Sequence, residues 1–105
     1  MKTYKVVLNR RLAHNDLVMF GLSDMAKEML SEATGKEITN ETVTRMSRHN
    51  PQLVEVVETL GKLANGKFST LKVQEVNGPY RIVSREGFEY IETPESVKWI
   101  DPESI

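Results

Sequence analysis

From Thr3 to Asn9 the chain alternates Tyr4, Val6 and Leu8 with Lys5, Val7 and Asn9. A period of two with β-branched residues at its centre predicts a strand with one apolar face and one mixed face. After Ser23 the period lengthens: Met25, Ala26, Met29, Leu30 and Ala33 fall at helical spacing. Ser23 is placed to cap that helix, Asp24 sets a negative charge in its first turn, and Gly35 is a natural stop. A shorter helix is expected over Glu41–Ser47, with Val43 and Met46 on one side. The sharpest signal lies in RHNPQLVEVVETLGKLANG, where Asn50 is an N-cap and Pro51 the first helical residue. Leu53, Val54, Val57, Leu60 and Ala64 then form an apolar stripe, Glu58 and Lys62 can pair outside it, and Asn65-Gly66 closes the helix. Gly61 falls inside that span at a cost of about 1 kcal/mol relative to alanine, for which close packing against a sheet is the favoured reason and a functional role the alternative.

Beyond Gly66 the period returns to two. Ser69–Val76 is expected to be a strand with Leu71 and Val73 inward. Asn77-Gly78 is a hairpin signal, but Pro79 has no N–H to close a two-residue turn, so a wider loop is expected. Tyr80–Arg85 continues as a strand, Glu86-Gly87 turns, and Phe88–Glu92 returns. Thr93-Pro94 breaks the ladder, leaving Val97, Trp99 and Ile100 to dock the tail on the core. The expected fold is therefore α+β in one domain spanning residues 1–105. It has an N-terminal strand, two to three helices and a three-stranded antiparallel meander, with the helices on one face of the sheet.

Composition narrows the class of protein more than its chemistry. There are 105 residues, 28% of them charged, and no cysteine, so disulfides and thiolate metal sites are excluded. No apolar run reaches the roughly 18 to 20 residues of a membrane span, and MKTYKVVLNRR lacks the apolar core of a signal peptide. A cytoplasmic protein is expected. The net charge of −1 gives no basic excess for neutralising phosphates, which makes nucleic acid an unfavoured partner. Residues 1–22 are nonetheless basic and residues 86–105 acidic. Glu86, Glu89, Glu92 and Glu95 fall three apart, which on a strand sends successive charges to opposite faces rather than along one DNA-mimicking stripe.

The catalytic signatures of strong specificity are missing: no GxSxG, no Gly-rich phosphate loop, no HExxH. His14 and His49 lack metal-ligand spacing, and no metal or other cofactor is expected. Arg10 and Arg11 end the first strand, while Arg45, Arg48 and His49 flank the start of the third helix. With His14 from the loop between, they form a candidate site for a small anionic ligand such as a nucleotide. The alternative for each arginine is an ordinary surface pair with one of the fifteen acids. The run LVMFGL, Leu17 to Leu22, either leads into the first helix as core or offers Leu17, Val18, Met19 and Phe20 as a contact patch for a partner or a second copy. Residues 10–22 make a long connection, of the kind often tied to function.

The segments VVLNR, FGLS, HNPQLVEVVETLGKLANGKFSTLKVQEV and YRI followed by GFEYIETPESVKWI occur in the order seen in a widespread family of small uncharacterised bacteriophage proteins, which this chain resembles over most of its length. RLAHNDLVMF stands where that family has a shorter Gly-rich link, and Ser84-Arg85-Glu86-Gly87 where it has a Tyr-Asp-Gly turn. The resemblance implies phage origin and action in a host bacterial cytoplasm. The expected function is a non-enzymatic accessory protein that binds or sequesters a host protein or a small anionic ligand. The alternatives are a virion or assembly protein, or a small enzyme acting on nucleotides or nucleic acid through His14, Asp16 or His49. A homodimer is compatible with each.

Overall fold

The computed structural model describes residues 3–11, 19–85 and 88–94. Their order is β1 (Thr3–Asn9), α1 (Asp24–Thr34), α2 (Asn40–Arg45), α3 (Pro51–Leu60), a 3-10 turn (Gly61–Ala64), β2 (Leu71–Asn77), β3 (Arg81–Arg85) and β4 (Phe88–Glu92). The class is α+β, as the periodicity predicts.

The expected three-stranded meander is not formed. β1 pairs antiparallel with β2, from Thr3 opposite Asn77 to Asn9 opposite Leu71, and β3 pairs antiparallel with β4 in a separate ribbon. Gly78 takes a left-handed φ of 80°, and Pro79 has no N–H for a ladder. The chain therefore leaves the first ribbon after Asn77 instead of turning back along it.

Burial explains where the second ribbon goes. Val6, Val7, Leu8 and Asn9 are all at most 1% exposed, so β1 is covered on both faces rather than one. Val7 joins Leu30, Leu53, Val57 and Leu71 in a cluster on the helical side. Val6 and Leu8 join Val76 on the opposite side, where Tyr80, Ile82 and Ile91 lie against them. The β3–β4 ribbon thus shields an apolar surface that the helices cannot reach. The helices do pack on one face of the β1–β2 ribbon; the hairpin occupies the other.

Local signals set the helix ends. Ser23 Oγ accepts from Ala26 N at 3.1 Å, and Gly35, at φ 70°, donates its N–H to Ser31 O. Met25 and Ala33 face out of the α1 stripe, leaving Ala26 and Leu30 as its buried residues. Asn50 accepts from Gln52 N and Leu53 N, with Pro51 at the first turn of α3. That helix is shorter than its apolar stripe: it stops at Leu60 because Gly61 takes φ 57° and ψ −126°, which side-chain-bearing residues avoid. A Cβ at Gly61 would meet nothing within 4 Å, so conformation and not close packing requires this glycine. Glu58 pairs across to Lys5 on β1, at 3.1 Å, in place of the expected Lys62.

Candidate functional site

The ladder fixes which main-chain groups of β1 face outwards. Arg10 N donates to Thr70 O at 2.7 Å, so even-numbered residues of β1 bond to β2 and odd-numbered ones point to the far edge. At Val7 and Asn9 that far edge is closed by residues from two distant elements. Val7 N donates to Arg48 O at 2.8 Å, Arg48 Nη1 donates back to Val7 O at 3.1 Å, and Asn9 N donates to Glu89 Oε1 at 2.7 Å. Arg48 and Glu89 complete the lock with a two-pronged ion pair at 2.7 and 3.0 Å, the side chains 19% and 12% exposed. The Arg48 guanidinium carbon also lies 3.4 Å from the centre of the Phe20 ring. Both terminal nitrogens and one face of this cation are engaged within the chain.

Arg48 is therefore tied to the fold and not held open for an anion. Arg10 donates to Gln74 Oε1 at 2.8 Å and lies 5.1 Å from the Phe88 ring centre, and Arg11 donates to Lys67 O at 2.9 Å. Arg45 forms an exposed i, i+4 pair with Glu41 at 2.7 Å. Arg10 and Arg48 thus approach neighbouring residues of β4, while Arg11 and Arg45 reach other partners. His14, Leu17 and Val18 lie outside the described residues.

His49 belongs to a polar and aromatic cluster. Its ring lies 2.9 Å from Ser47 Oγ, hydrogen-bonds the Tyr80 hydroxyl, and makes edge contacts with Tyr4 and Tyr80 at 5.7 Å each. Burial raises the Tyr80 phenol above its ordinary value, opposed by the Arg48 charge and by a hydrogen bond from Ser47. The cluster borders a shallow groove with Gly78 and Pro79. Among the described residues, no three His, Cys, Asp or Glu side chains come together to hold a metal, and no helix is long and apolar enough to cross a membrane.

The apolar run before α1 divides. Phe20 packs on the helical core and Leu22 is buried in it, but Met19 is 53% exposed. Residues 19–23 run against 63–69 in an irregular seam: Met19 N donates to Phe68 O, Gly66 N to Gly21 O, and Ser23 N to Ala64 O. Ser69 Oγ donates to Gly21 O at 2.8 Å and Ser23 Oγ to Leu63 O at 2.6 Å. A Cβ on Gly66 would stand 2.8 Å from Gly21 C, so here close approach does demand glycine. Met25 and Leu63, which flank Ser23 on the two sides of the seam, are 53% and 62% exposed.

Glu89 and Ser69 are the residues that sequence reasoning did not single out. A usable signal existed for Glu89: it shares the phase of Ile91, which faces the core, so an acid there needs an internal partner. Comparison of the chain with family models, with curated proteins and with solved structures finds no match in any of the three.

Proposed function

We propose that this is a non-enzymatic accessory protein whose partner is another protein. The observation that carries this reading is the exposure of Met19, Met25 and Leu63, contributed by two segments that the seam joins. Large apolar side chains left in water on two segments held together in this way mark a candidate contact surface. The sequestration of a small anion is less favoured, because Arg48, the cation nearest the α3 N-terminus, is already matched by Glu89. With the expected phage origin, the partner we propose is a bacterial host protein, met in the host cytoplasm.

The test is a comparison of wild type with a Met19→Asp, Met25→Asp, Leu63→Asp variant as bait in bacterial lysate, each checked by circular dichroism. The reading expects a partner retained by wild type and lost by the folded variant. Equal retention by both removes this surface from the account. A thermal-shift panel of nucleotides, run with an Arg10→Ala, Arg11→Ala variant, covers the anion reading. A ligand at 100 times its Kd adds about 2.7 kcal/mol of stability, which this panel detects.

A further inference from the structure

The two edges of the β1–β2 ribbon are treated differently. On β1 the N–H and C=O of Val7 and the N–H of Asn9 are occupied by Arg48 and Glu89, whereas the outward groups of Lys5, farther along, have no partner among the described residues. On β2 the outward residues are Leu71, Val73, Glu75 and Asn77, since each stands opposite an odd-numbered residue of β1. Leu71 N is capped by Asn65 Oδ1 at 2.7 Å. Beyond it, the main-chain N–H and C=O groups of Val73 and Glu75 have no partner among the described residues. This is the arrangement that proteins ordinarily blunt or cover.

Beside the open edge runs a groove between β2 and the end of α3, with an apolar floor of Val57, Gly61, Leu71 and Val73. Its rim is basic. Lys62 and Lys72 have no ion-pair partner among the described residues, whereas Glu58 is neutralised by Lys5. Unpaired main-chain groups next to an apolar groove suit an extended peptide: the backbone supplies the bonds and alternate side chains enter the groove.

We propose that the free edge of β2 takes up an extended segment of a partner protein as an added strand, with an apolar side chain in the groove and acidic residues beside Lys62 and Lys72. A second copy of this chain is the competing occupant, and the oligomer measurement below separates the two. The proposal deepens the partner-binding reading and rests on it.

The experiment selects binders to the full chain from a display library of random ten-residue segments. It then measures their affinity for wild type, Glu75→Pro, Glu75→Ala and the Met19→Asp, Met25→Asp, Leu63→Asp variant. Proline removes the outward N–H of Glu75 without touching the β1 ladder, and each variant's Tm verifies folding. The expected result is segments of alternating apolar and acidic residues that bind Glu75→Pro at least tenfold more weakly than wild type and Glu75→Ala nearly as well. Selected segments that bind Glu75→Pro as well as wild type overturn strand addition. If those same segments fail on the aspartate variant, the partner-binding reading survives on its own surface. A wild-type dimer in light scattering that Glu75→Pro converts to monomer makes the occupant a second copy and overturns the proposal in favour of self-pairing.

Discussion

Replacing Glu89 with alanine removes acceptors from three donors at once: Asn9 N at 2.7 Å and the two Arg48 nitrogens at 2.7 and 3.0 Å. Arg48 keeps its bond to Val7 O and its stack on Phe20, so it is held in place without its counter-charge. Stranding one member of a buried pair costs about 3 to 5 kcal/mol. These side chains keep 19% and 12% of their exposure, which lets water reach the guanidinium and sets the expectation near 3 kcal/mol, at the lower limit. For a domain of this size that is a fall in Tm of roughly 10 to 20 °C. Urea unfolding followed by circular dichroism supplies the free energy, and a cycle with Arg48→Met and the double variant isolates the coupling. The double variant is expected to cost less than the sum of the singles, because the desolvation penalty disappears with both charges. A cost below about 1 kcal/mol for Glu89→Ala, or additive singles, would refute the lock between β1, β4 and the start of α3.

Gly66→Ala forces a methyl group into the Gly21 backbone and is expected to cost about 2 kcal/mol or more in urea unfolding, with no relief from smaller neighbouring side chains. Gly61→Ala meets no atom yet costs about 1 to 3 kcal/mol through its positive φ alone, and a neutral result would contradict the chain reversal assigned to it. Asn50→Ala removes the acceptor for Gln52 N and Leu53 N and is expected to cost about 1 kcal/mol, read as a loss of Tm. Because burial raises the Tyr80 phenol, its stabilising contribution is complete below the ordinary tyrosine pKa, 10.0, and is lost as pH rises through the folded value. In an absorbance titration at tyrosinate wavelengths, Tyr80→Phe should delete a step above pH 10.0; an unchanged profile there would remove the burial argument.

The legible parts of the chain were those whose causes lie within a few residues. Ser23, Gly35 and the Asn50-Pro51 start act through one turn of backbone, and the structure has them where the periodicity puts them. The pairing of β3 with β4 across Glu86-Gly87 was equally local. What escaped was long-range. Arg48 and Glu89 are 41 residues apart; the phase of Glu89 signals that it needs an internal partner, but nothing near either residue identifies the other. The meander failed for a related reason. Val6 and Leu8 need a cover, and Val7 needs the helices, so β1 demands two layers where alternation alone suggested one buried face. In sequence Gly61 reads as a closely packed helix residue and Gly66 as a helix stop; in the structure Gly61 is the one that needs a positive φ and Gly66 the one that needs room.

The unequal edges of the central ribbon join the fold to its proposed use, and amide hydrogen exchange of the free protein measures them directly. Val7 and Asn9, whose N–H groups are held by Arg48 and Glu89, should exchange only through large-scale opening. Glu75, exposed on the opposite edge, should exchange close to the rate of an unprotected amide. Protection of Glu75 equal to that of Val7 would mean that the β2 edge is already occupied, and strand addition there would be ruled out.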